Sequence, residues 1–92
     1  MKKPELDILA EAGMLIGGDR NDTHGDYAIE AARIAEMWSA ICNVDIAPEH
    51  VPLMMIALKV ARASSKGRLN RDDFVDIAGY AALAWRVATR EV

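Results

Sequence analysis

With a single cysteine, Cys42, the chain has no internal disulfide to lean on, so burial alone must hold it together. An unpaired thiol of this kind suits a reducing compartment and is expected to serve as a small core side chain. Three prolines and six glycines are too few for a loop-rich or collagen-like chain. Two Trp, two Tyr and one Phe give no aromatic-rich strand pattern. Clustered Lys and Arg are missing as well. The formal net charge is −3, and the basic residues are scattered, which excludes nonspecific binding to DNA or RNA. The longest apolar run, Val51 to Leu58, is far below the roughly 20 residues of a membrane span, and Asp7 and Glu11 interrupt any signal-peptide core. The expectation is a soluble protein of the host-cell cytoplasm, without a membrane or nucleic-acid partner.

What is present is apolar surface. Hydrophobic residues make up 52% of only 92, in a chain of one-domain length, residues 1–92, where a single core is marginal. Helical periodicity predicts an all-α, four-helix bundle-like domain with helices over 4–16, 27–42, 48–65 and 71–90. Self-association is the expected way to cover the remaining apolar faces, and a homo-oligomer is predicted.

Each boundary has a local reason. Pro4 suits a first helical turn, and Gly17-Gly18 end the first helix. The second helix starts at Asp26 or Tyr27 and stops near Asn43, with Trp38 on its core stripe. Ala47-Pro48-Glu49 reads as the third start, although Pro52 shifts it toward Val51. Ser64 to Gly67 end that helix. Asn70 and Asp73 have capping-box spacing at the head of the fourth.

The fourth helix is predicted to be buried on nearly every side. From Phe74 to Trp85 only Asp76 is charged, so this carboxylate needs a partner. Phe74, Ile77, Ala78, Ala81 and Trp85 share one stripe, and Asp73, Asp76 and Tyr80 the next. Gly79, where a helix prefers Ala by about 1 kcal/mol, marks a close approach by another helix or a ligand. A short loop makes helices three and four an antiparallel hairpin. That places Lys59 near Asp76 and Arg62 opposite Asp73. The ladder serves either structural neutralisation or a phosphate and metal site, with Asp73 and Asp76 on Mg²⁺ and the bases on phosphate oxygens. The polar segment from Gly17 to Tyr27 is either a solvated loop or a second binding element through Arg20, His24 and Asp26. Tyr80 completes the candidate ligand-binding set of Arg20, His24, Asp26, Lys59 and Arg62.

Five stretches carry a resemblance: GDR at 18–20, HGDY at 24–27, RIAEMWS at 33–39, APEHVPLMMIALKVAR at 47–62 and RDDFVDIAGYAA at 71–82. Together they resemble a family of small uncharacterised phage and prophage proteins, a domain of unknown function. More distantly, the carboxylate pair of DDFVD at 72–76 is similar to the phage nucleotide-modification-associated domain, type one, and to MazG-like all-α NTP pyrophosphatases. The latter resemblance implies a helical oligomer, Mg²⁺ and NTP pyrophosphohydrolysis. The function expected is therefore binding of a nucleotide or nucleotide-derived phosphate. The alternative is a non-catalytic module that sequesters a nucleotide or engages a host protein.

Overall fold

A computed structural model describes residues 3–17, 26–68 and 70–89. Four helices make up the fold: α1 Pro4–Gly17, α2 Tyr27–Cys42, α3 His50–Lys66 and α4 Arg71–Thr89. No strand is present among the described residues. The all-α expectation holds, and the boundaries fall within two residues of those predicted, residue 90 lying outside the described residues.

Local chemistry accounts for the ends. Asp26 is the N-cap of α2, its side chain accepting the Ala28 N–H at 2.9 Å. Asn43 closes the same helix in the left-handed region (φ 56°), which an Asn tolerates better than most residues. The third helix begins at His50 rather than Pro48. Residues 47–49 instead form a turn in which Ala47 and Pro48 carbonyls accept the His50 and Val51 N–H groups, at 2.9 and 3.1 Å. Pro52 thereby falls in the first helical turn, where its missing N–H costs nothing, and its ring is fully buried. Gly67 ends α3 with φ 81° and donates its N–H to Ser64 O.

The α2–α3 connection is clasped by one hydroxyl. Ser39 Oγ accepts the Ile46 N–H at 2.9 Å and donates back to the Ile46 carbonyl at 3.3 Å. Under it, Ala28, Ala31, Ala35, Val51 and Val87 form the buried cluster, flanked by half-buried Tyr27, Ile34, Trp38 and Ile46. Trp38 is thus a core residue, as its stripe predicted.

The fourth helix is the centre of the molecule and lies mainly against α3 and α1. It buries Val75, Gly79, Leu83, Ala84 and Val87. Two expectations are corrected here. Rather than being buried all round, α4 leaves Phe74 and Trp85 48% and 72% exposed on the stripe that also carries Ala81. Cys42, expected in the core, is exposed, because it is the last residue of α2, beyond the buried Ala28–Ala31–Ala35 face.

Candidate functional site

Counting residues across the Gly67 turn predicts that Lys59 and Asp76 face each other, and they do. Lys59 Nζ lies 3.0 Å from Asp76 Oδ2, with the two side chains 19% and 34% exposed. A pair in this half-screened position is worth little net stability, on the order of 1 kcal/mol or less. It does give Asp76 the partner its apolar helix demands.

Asp73 behaves differently. Its Oδ2 accepts the Asn70 N–H at 3.1 Å while Asn70 Oδ1 accepts the Asp73 N–H at 3.0 Å, a reciprocal capping box at the head of α4. The carboxylate is buried in that role. Arg62, predicted opposite it, is exposed on α3, and no ion pair joins the two.

Beside the Lys59–Asp76 pair runs a cleft between α1 and α4. Asp76 and Tyr80 are its polar members, and Ala12, Ile16, Val75 and Leu83 its apolar walls. The cleft holds a cavity of about 20 Å³, room for one water. At Gly79 the approaching group is Ile16 of α1, whose Cγ2 lies 3.5 Å from where a Cβ would sit. The close approach expected at this glycine is therefore made by a helix, and it leaves room for a methyl. Two polar contacts tie α1 to α4 on either side of the cleft: Arg71 pairs with Glu11, and Arg86 Nη2 donates to Ile16 O at 3.3 Å.

Tyr27 is a neighbour that the sequence did not nominate. Burial pushes its phenol up to about 12, and the adjacent Tyr80 and Glu30 add to the shift. The sign follows from the neutral phenol being the form the fold prefers. Its contribution to stability is intact below pH 10.0, the ordinary value, and is lost as pH rises through about 12. Of the remaining candidates, Asp26 serves as the α2 cap, and Arg20 and His24 lie outside the described residues. The available signal for Tyr27 was its place in HGDY, directly after a capping aspartate.

Residues 7–88 match the family described as Domain of unknown function (DUF6378). The chain belongs to this family. Among curated relatives, it is 42% identical over 79 residues to the Gene 55 protein of Mycobacterium phage L5, covering 85% of this chain and 50% of that protein. It is 38% identical over 80 residues to the Gene 55 protein of Mycobacterium phage D29, covering 87% and 52%. The chain thus spans about half the length of the phage relatives it matches. No solved structure matches it. The expected membership of an uncharacterised phage family is borne out. No described helix is long and apolar enough to cross a membrane.

Proposed function

We propose that this phage-type domain binds the phosphate of a nucleotide or nucleotide-derived small molecule, with Lys59 as the receiving cation. One observation supports this: the Lys59 ammonium is drawn to 3.0 Å from Asp76 at the half-open edge of a cleft that also carries Tyr80. An ammonium held by one carboxylate at such an edge can exchange it for a more highly charged phosphate. Arg62, three residues on and exposed, adds a second cation, and Arg20 and His24 are the remaining basic candidates in sequence. A cavity of about 20 Å³ holds one water and admits neither base, ribose nor phosphate, so a phosphate would meet Lys59 at the exposed rim beside Asp76 and not inside the cleft.

The stronger version, a MazG-like pyrophosphohydrolase, requires Asp73 and Asp76 to share Mg²⁺. Each has its Oδ2 engaged, by Asn70 N–H and by Lys59 respectively. No group of three or more His, Cys, Asp or Glu side chains among the described residues is placed to hold a metal ion. Mg²⁺ takes one or two carboxylates together with water and substrate phosphates, and sharing an ion here would draw Asp73 from its capping box and Asp76 from Lys59.

Asp76→Asn separates the two versions. If Lys59 receives phosphate, removing its competitor tightens nucleotide binding, and Lys59→Ala weakens it by about 1.5–3 kcal/mol, the worth of a charge-assisted contact. If Asp76 carries Mg²⁺, the same Asp76→Asn change abolishes Mg²⁺-dependent binding and pyrophosphate release. Binding that returns the ligand unchanged identifies a sequestering module. Calorimetry that finds no binding of any mono-, di- or cyclic nucleotide, with or without Mg²⁺, removes the phosphate proposal. A host-protein interaction module is then favoured by the exposed Phe74 and Trp85 of α4.

A further inference from the structure

Five of the eleven Lys and Arg residues lie between 59 and 71, a span without one acid, while the other 79 residues hold six bases and fourteen acids. Bases that read as scattered along the chain are thus gathered, and the fold puts them at one end. Lys59 and Arg62 lie toward the end of α3, with Lys66 at the next position of the same stripe; Arg68 follows in the connection and Arg71 opens α4. Arg62, Arg68 and Arg71 are exposed. Among the described residues, Lys59 is paired with Asp76 and Arg71 with Glu11, and no acid pairs with Arg62 or Arg68.

Helix stability does not ask for this arrangement. A helix favours cations in its last turn and disfavours them in its first, which accounts for Lys66 but runs against Arg71. Next to these charges stands an apolar ring: Phe74, one turn into α4 on the face of Arg71, is 48% exposed. Unpaired cations beside an exposed aromatic face are the parts with which proteins hold a nucleic-acid strand, the cations on phosphates and the ring against a base.

We propose that the α3–α4 tip binds the phosphate backbone of a single-stranded nucleic acid through Arg62, Arg68 and Arg71, with Phe74 stacking on a base. Two packed helices are about 20 Å wide with their side chains, too broad for the roughly 12 Å major groove of a duplex, whereas a flexible strand can follow them. A flat anionic membrane fits less well, because Asp72 and Glu11 flank Arg71 and would be pressed against it. The acidic remainder of the chain repels a strand elsewhere, and so fixes where it lies. The inference shares Arg62 with the phosphate reading above but does not rest on Lys59, which keeps Asp76 as its partner.

The test is fluorescence anisotropy of a labelled oligothymidylate of about a dozen nucleotides, titrated with the full chain at salt from about 50 to 200 mM. Three phosphate contacts at about −0.7 each predict a slope of log K against log salt near −2. Arg62→Gln and Arg68→Gln, both at exposed positions, are each expected to flatten that slope by about 0.7. Phe74→Ala is expected to weaken binding about fivefold or more with the slope unchanged. Arg33→Gln, an equal loss of charge at an exposed position on α2, should change neither. The proposal is overturned by the absence of saturable binding at about 50 mM salt, by an equal loss from Arg33→Gln, or by a Phe74→Ala variant that binds as well as the wild type. A duplex bound as tightly as the strand overturns it too, as does binding to anionic phospholipid vesicles without binding to the strand. Strand binding that survives Lys59→Ala, in a protein that binds no mononucleotide, sinks only the phosphate reading and leaves this one standing.

Discussion

The two seams that hold α4 are built by different means. Toward α3, the chain turns through Gly67 and Asn70, and the seam adds polar contacts to the buried Val51–Val87 cluster: a capping box at its mouth and a Lys–Asp pair within. Toward α1, the contacting residues are some sixty positions apart in sequence, and the seam is a close apolar approach, Ile16 on Gly79, bracketed by Arg71–Glu11 and Arg86–Ile16 O. A short loop makes closure of the first seam cheap, so it tolerates polar groups with little net energy. The second must repay a long loop closure, and it does so with burial.

The most damaging single change at the polar seam is expected to be Asp73→Ala, which removes the reciprocal half of the capping box and leaves the Asn70 N–H without its acceptor, while the Asn70 side chain still caps α4. The loss should be about 1–2 kcal/mol, a fall in Tm on the order of 10 °C by calorimetry. A fall below about 2 °C would mean that the box is idle.

The contrast between the seams is also a contrast in what could be read in advance. Opposite charges at 59 and 76, separated by a turn signal at 67–70, locate each other by counting alone. Arg62 was expected to reach Asp73 by the same count. It does not, because the helix's own backbone, three residues away, claims that carboxylate first. Nothing in the periodicity of α1 says that Ile16 will meet Gly79, since contacts across long separations leave no spacing to count. Apolarity likewise nominates Phe74 and Trp85 for burial without naming a neighbour, and among the described residues they stay 48% and 72% exposed.

Next in size, a double-mutant cycle of Lys59→Ala and Asp76→Ala is expected to give a coupling of about 0.5–1 kcal/mol, smaller at high salt because the pair is partly solvated. A coupling near zero at low salt would make the polar seam purely a matter of the turn. On the apolar seam, Gly79→Ala should stabilise by up to about 1 kcal/mol, since the helix gains propensity and the new methyl meets Ile16 at 3.5 Å, ordinary contact. Destabilisation in urea would show instead that α1 sits tighter on α4 than that distance allows. The smallest effect is expected from Arg71→Ala, whose pair with Glu11 is about half exposed. Its loss should shift the urea midpoint by no more than about 0.5 kcal/mol in equivalent stability.

The hydroxyl of Ser39 closes the α2–α3 connection by holding both the amide and the carbonyl of Ile46. A residue whose amide and carbonyl are both held from inside a helix cannot fray on its own timescale. Its amide becomes reachable by solvent only when the end of α2 opens with it. Ile46 therefore belongs kinetically to the helix, and isotope uptake at its amide should track the melting of α2 rather than the quick exchange normal for a surface loop.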